Sequence, residues 1–222
     1  MKTVKDDLTP PPPRPIAALI ERRTLPVGAI FHRVHQNIYH ATQFNPGPRG
    51  NARFSPISDS AGAQIPTLYA GDSLHCALME TVFHDVPFHP GNKPFDKAKL
   101  QNQHASQFFL TQKICVASLT STALRKLGVQ RKLLVDTEKS SYPSTRLWAE
   151  AIHAECPDIQ GLSWMSRQDD TALALVLFGD RIKAGAIHPR GASRDLIGHS
   201  ATYKSILDLA NRIGVLIFDA ST

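Results

Sequence analysis

Four residues of this chain have side chains and spacing that could do chemistry together. They are Arg33 in Phe31-His32-Arg33-Val34-His35, Arg53 in Asn51-Ala52-Arg53-Phe54-Ser55, Tyr69 in Thr67-Leu68-Tyr69-Ala70-Gly71, and Glu80 in Ala77-Leu78-Met79-Glu80-Thr81. Two guanidiniums suit bidentate contact with a phosphate or carboxylate. A carboxylate near them suits stabilisation of positive charge that grows as a bond breaks. A phenol adds a flat face with a polar tip. Taken singly, three have a structural reading: Arg33 paired with a carboxylate, Tyr69 in the core, Glu80 on a solvated helix face; Arg53, after a Gly- and Pro-rich loop, is more suggestive.

The elements that must position them follow from periodicity and punctuation. Residues 29–39 alternate β-branched or aromatic with polar side chains, which predicts a strand carrying Arg33 on one face with Phe31 and His35. The Gly- and Pro-punctuated stretch 45–51 is a loop, and Arg53 follows it at the start of a second strand. Residues 65–70 make a third strand. Asp72 is placed to cap a helix over 73–84 whose buried stripe is Leu74, Ala77, Leu78, Thr81 and Val82. At about 100° per residue Glu80 lies about 120° from Leu74, beside Cys76 and His84 and free to face a cleft.

Elsewhere the pattern predicts a short helix over 16–23, a polar loop or lid over 86–103, a strand over 108–119 and a helix over 120–127 ended by Gly128. It continues with a strand over 133–136, a helix over 144–156 stopped by Pro157, and strands over 161–167 and 172–178. A segment over 181–187 would pair with the last of these, and a helix over 203–213 precedes a strand at 215–218. The opening residues 1–15 contain four consecutive prolines and read as an extended arm; residues 16–222 read as one domain.

Bulk properties bound the function. The 222 residues, 42% hydrophobic, can bury one sizeable core. Lys and Arg number 25 against 19 Asp and Glu, a net +6 that favours anionic partners, but no basic run exceeds a pair, so no direct nucleic-acid contact is expected. Three scattered cysteines without C-x-x-C, and no leader-like apolar segment, point to a reducing, cytoplasmic setting. No apolar run is long enough for a membrane span. Walker A, G-x-G-x-x-G, G-x-S-x-G and H-E-x-x-H patterns are all missing, and the histidines lack a metal-ligand pattern, so no metal is expected.

The order of the candidate residues carries a resemblance. Arg33 in FHRVHQ, Arg53 in NARFSP, Tyr69 in TLYAG, Glu80 in HCALMETVFHD, and Ser166 in GLSWMSR followed by LALVLFGDR resemble the RES-domain family over roughly residues 30–181. Two features depart from the family pattern: Asn51-Ala52 stand where Gly-Gly or Gly often precedes the second arginine, and Val34 stands where an aromatic often follows the first. The resemblance implies an α+β fold of the ADP-ribosyltransferase type, a split pair of β-sheets with flanking helices and a central NAD-binding cleft. It implies a toxin of a toxin-antitoxin pair that cleaves NAD+ as substrate, with no further cofactor, and an Xre-type helix-turn-helix antitoxin as partner. Glu80 would be the principal catalytic carboxylate, aided by Arg33 and Tyr69. Arg33, Arg53, Tyr69 and Ser166 would bind the substrate, with the arginines on phosphate or ribose and Tyr69 against nicotinamide.

The residues themselves agree with such chemistry. Nicotinamide leaves ribose C1 through an oxocarbenium-like state, which a carboxylate stabilises more than the ground state. Two other readings stay open: transfer of ADP-ribose to a protein, and a non-catalytic module that binds nucleic acid or an acidic protein through its dispersed positive charge.

Overall fold

The computed structural model describes residues 8–48 and 50–220. Residues 1–7 of the expected arm and Arg49 of the 45–51 loop lie outside them. The described elements, in order, are β1 (Arg22–Leu25), β2 (Ile30–Gln36), β3 (Ile57–Ser58), β4 (Gln64–Ile65), β5 (Thr67–Gly71), α1 (Leu74–Thr81), β6 (Lys93–Asp96), β7 (Gln103–Leu110), β8 (Ile114–Ser118), α2 (Ser121–Leu127), α3 (Arg131–Leu134), α4 (Tyr142–Glu155), β9 (Gly161–Met165), β10 (Leu173–Phe178), β11 (Ile187–Pro189), β12 (Arg194–Asp195), α5 (Ser200–Arg212) and β13 (Val215–Phe218). The fold class is α+β. Among the described residues no helix is long and apolar enough to cross a membrane.

A nine-stranded sheet runs in the order β1-β8-β9-β10-β5-β2-β7-β11, with β12 also on β7. Its pairs are antiparallel except β8 with β9. The alternation of β10 accounts for its core: Leu173, Leu175 and Leu177 join one buried cluster, while Ala174, Val176 and Phe178 join another on the opposite face under α4. A third cluster, with Leu78, Phe83, Phe95 and Ile206, lies between α1 and α5. Gly161 is required where β9 meets β10, because a Cβ there would stand 2.2 Å from the Val176 carbonyl oxygen.

The expected pair of sheets is here one hydrogen-bonded path whose halves meet at a single residue pair. Between β2 and β5 only His32 stands opposite Gly71. Continuing that register would have set Arg33 against Ala70 and Val34 against Tyr69. Instead the strands part, and β2 spends its length on a seven-residue ladder with β7, from Ile30 opposite Phe109 to Gln36 opposite Gln103.

Several local expectations are corrected. Residues 16–23 do not form a helix: one turn, in which the Ile20 amide donates to the Ile16 carbonyl (3.2 Å), buries both isoleucines, and the chain then extends as β1 along β8 toward Pro26. Arg53 opens no strand; Arg53 and Phe54 occupy a tight turn closed by the bridge between Ala52 and Ser55. The cap of α1 is Ser73, whose hydroxyl accepts from the Cys76 amide, while Asp72 accepts from the Leu173 amide (2.9 Å), and the helix stops at Thr81.

The 86–103 stretch is not all loop: β6 pairs in parallel with β13, and Asp96 caps the turn that follows. Residues 108–119 divide into the end of β7 and all of β8 around the turn at 111–113. Residues 133–136 belong to a helical turn, since the amides of Val135 and Asp136 both return to the Arg131 carbonyl. A three-residue apolar run has no period to tell strand from helix. Residues 181–187 do not pair with β10; Gly185 turns the chain at φ +78, and β11 pairs with β7.

Of the arm, Pro10 accepts a hydrogen bond from the Trp148 indole (2.7 Å), and Thr9 donates to the Leu133 carbonyl (2.6 Å). The described part of the arm therefore lies against α3 and α4.

Candidate active site

The gap left where β2 and β5 part is the mouth of a cavity of about 330 Å³. Arg33 and Val34 border it from β2, Tyr69 and Ala70 from β5, Glu80 from α1, and Arg53 from the turn. The four residues singled out by their chemistry are brought together. Their approach depends on Gly71, since a Cβ there would fall 2.7 Å from Cys76 Sγ and 3.2 Å from the Ala77 amide, pushing α1 away.

Arg33 is 8% exposed and has no carboxylate partner among the described residues. Its Nη1 donates to the carbonyls of Ala41 (3.2 Å) and Gln43 (2.8 Å), which fix the group, while Nε has no partner. Burial pulls its pKa down to about 10, so it is a charged guanidinium at neutral pH. The unfolded chain holds this proton to higher pH. Stability therefore carries the full cost of the buried charge at neutral pH, and the cost shrinks only as pH rises above about 10.

Arg53 is 4% exposed. Its backbone is held from three sides: Thr145 donates to its carbonyl, Arg146 Nε donates to the Ala52 carbonyl (3.2 Å), and the next amide, of Phe54, donates to the Tyr69 hydroxyl (3.1 Å). The guanidinium lies 5.7 Å from the centre of the Tyr142 ring, a cation–π contact, and its Nε and Nη2 are buried without a partner. Trp164 Nε1, also of a lining residue, is another such donor. Buried donors left unpaired are costly, and their concentration around one cavity is the signature of a site built for an anion or another acceptor-rich ligand.

Tyr69 packs edge-on against Trp164 (centroids 6.3 Å, 71°). Burial pushes its phenol up to about 12, so it stays neutral and offers a ring face and a hydroxyl, not a base.

Ser166 is fully buried and stands behind Glu80 instead of lining this cavity. Its Oγ accepts from the amides of Gln168 and Asp169 (both 3.0 Å) and donates to Glu80 Oε1 (2.6 Å). With both lone pairs engaged by amides, its one proton has to go to the carboxylate. Glu80 is thereby oriented through Oε1, which leaves Oε2 for the cavity.

Sequence reasoning missed Trp164, Tyr142, Asp85 and Lys139, which also line the cavity. His84 had a signal, lying four residues beyond Glu80. At the rim, His84 Nδ1 meets Asp85 Oδ1 (2.9 Å), the Tyr142 hydroxyl meets His84 Nε2 (3.3 Å), and Lys139 pairs with Asp85 (2.7 Å). Nothing near Tyr142 in the sequence announces it, because it arrives from the start of α4.

A neutral aromatic slot, two desolvated cations and one oriented carboxylate can hold an anionic substrate and stabilise a developing cation beside it. In comparison with known protein families, the model of the RES domain matches residues 30–197. Comparison with curated proteins gave no match.

Proposed function

Because this chain belongs to the RES-domain family, we propose that it is an NAD+ glycohydrolase acting as the toxin of a toxin-antitoxin pair, in an ADP-ribosyltransferase-like cleft. The single observation that carries the reading is the pairing, around one cavity, of two buried guanidiniums lacking carboxylate partners with a carboxylate oriented by a buried serine.

The steps follow from the chemistry of these groups. The pyrophosphate neutralises Arg33 and Arg53 and fixes the nicotinamide half of the substrate. Nicotinamide packs on the Tyr69 face. As the bond from ribose C1 to nitrogen breaks, its electron pair goes to the pyridine ring and positive charge grows on the sugar, opposite Glu80 Oε2. Water captures C1 and gives up a proton, yielding nicotinamide and ADP-ribose. Ser166 acts through Glu80, not on the substrate.

The test is NAD+ consumption with product identification, run on the parent and on Glu80→Gln. The variant keeps an acceptor for Ser166, so it should fold normally and turn over at least about a hundredfold more slowly. Turnover at the parental rate would sink the assignment. Label from NAD+ appearing on protein would instead favour ADP-ribosyl transfer. Salt-sensitive nucleic-acid binding without NAD+ loss would favour the binding module. The same reading assigns the partner as an Xre-type helix-turn-helix antitoxin that covers the cavity, so co-expression with such a protein should block NAD+ loss.

A further inference from the structure

We propose that the site recognises the nicotinamide, its ribose and the attached phosphate charge but not the adenosine, and that the protein therefore also hydrolyses the free mononucleotide. This rests on the glycohydrolase reading and narrows what the cavity binds.

The inference comes from counting what the cavity offers. At about 330 Å³ it stands at the low end of small-ligand pockets, about 300–1,000 Å³, whereas the dinucleotide is roughly twice the size of its mononucleotide half. Each recognition feature occurs once. Among the described residues there is one accessible aromatic face, Tyr69, backed edge-on by the buried Trp164, and one carboxylate not paired with a cation, Glu80, since the other lining carboxylate, Asp85, is held by Lys139. The remaining aromatic, Tyr142, has Arg53 beside its ring and is 2% exposed, so it offers no platform for a second base.

Charge gives the same count. Among the described residues Arg33 and Arg53 are the buried cations of the lining, and together they balance two negative charges: either the two phosphates of a dinucleotide, one charge each, or the doubly ionised phosphate of a mononucleotide. The other lining cation, Lys139, is already paired with Asp85 at 2.7 Å, and both side chains are more than half exposed. The adenosine half would thus lie beyond a polar, hydrated rim, where contacts contribute little to holding the transition state.

The reaction on the smaller substrate balances as before. The bond between C1 and nitrogen breaks with its electron pair going to nicotinamide, water supplies the new oxygen on C1, and one proton is released with ribose 5-phosphate.

The experiment compares kcat/KM of the full chain on NAD+, on nicotinamide mononucleotide and on nicotinamide riboside, which lacks the phosphate. The mononucleotide should fall within about tenfold of NAD+, because truncating an unbound group costs little. The riboside should be slower by more than about a hundredfold, because it leaves buried guanidinium donors unpaired. A mononucleotide rate more than tenfold below that of NAD+ would overturn the inference while leaving the glycohydrolase reading intact. A riboside as good as the mononucleotide would overturn it too, by removing the arginines as the anchor. Consumption of none of the three would overturn the glycohydrolase reading itself, and this inference with it.

Discussion

Arg53 is a residue whose presence should cost stability. Its Nε and Nη2 are buried and unpaired, and among the described residues it forms no ion pair. Replacement by a side chain of similar length without charge should therefore relieve desolvation, as happens when buried charges are replaced by packed apolar groups. For Arg53→Met we expect a gain of about 1 kcal/mol or more and a rise in Tm of about 2–4 °C, with loss of activity. Calorimetry on the variant checks this, and a lowered Tm would contradict it. Ser166 makes the opposite case. Ser166→Ala strips the amides of Gln168 and Asp169 of their acceptor and frees Glu80 to rotate. It should cost about 1–3 kcal/mol of stability and lower kcat by roughly tenfold or more while leaving KM nearly unchanged. A KM effect with unchanged kcat would return Ser166 to the substrate-binding set expected from the sequence.

At the scale of elements, two glycines separate support of the site from support of the fold. A methyl at Gly71 meets Cys76 and the Ala77 amide, so Gly71→Ala should displace α1 and with it Glu80. A methyl at Gly161 meets a β10 carbonyl far inside the sheet, so Gly161→Ala should prevent the ladder with β9 from closing. We expect Gly161→Ala to unfold at markedly lower denaturant, by about 3 kcal/mol or more. Gly71→Ala should remain folded with kcat reduced. Denaturant melts and kinetics on both variants check the separation, and equal loss of activity per kcal/mol in the two would refute it.

The elements also explain what was legible beforehand. Strands β2, β5, β9 and β10 and helices α1, α2, α4 and α5 were readable because long apolar periods mark them. So was β13, marked by the apolar run at 215–218, but most of the other short pieces were not. The 16–23 segment read as helix because Ile16 and Ile20 have helical spacing, which one turn satisfies equally well. β6 was hidden because its pairing partner, β13, lies at the far end of the chain. Arg33, Arg53, Tyr69 and Glu80 were found by residue type and order. Tyr142 and Trp164 reach the cavity only through packing of α4 and β9, which no local pattern records.

Over the whole molecule, the described part of the arm is tied to the core beneath the site. Pro10 receives the Trp148 indole proton, Ile16 donates its amide to Glu155, and Trp148 is 1% exposed within the cluster that also holds Phe54 and Trp164. Deleting residues 1–13 should leave a buried indole unpaired and lower stability by about 1–3 kcal/mol. Thermal unfolding followed by tryptophan fluorescence checks this; an unchanged midpoint would mean that the arm contributes nothing to the core.

The single pair between His32 and Gly71 has a mechanical consequence. Most of the large sheet is stitched by ladders of several residues, which resist shear together, but this seam is a pivot. We expect the two halves to flex about it sooner than across any ladder, with α1, packed on β2, β5 and β10, bridging the joint. A ligand gripped by Arg33 on one side and Tyr69 on the other would act as a clamp across that joint, so binding should stiffen the sheet where its strands share the fewest hydrogen bonds.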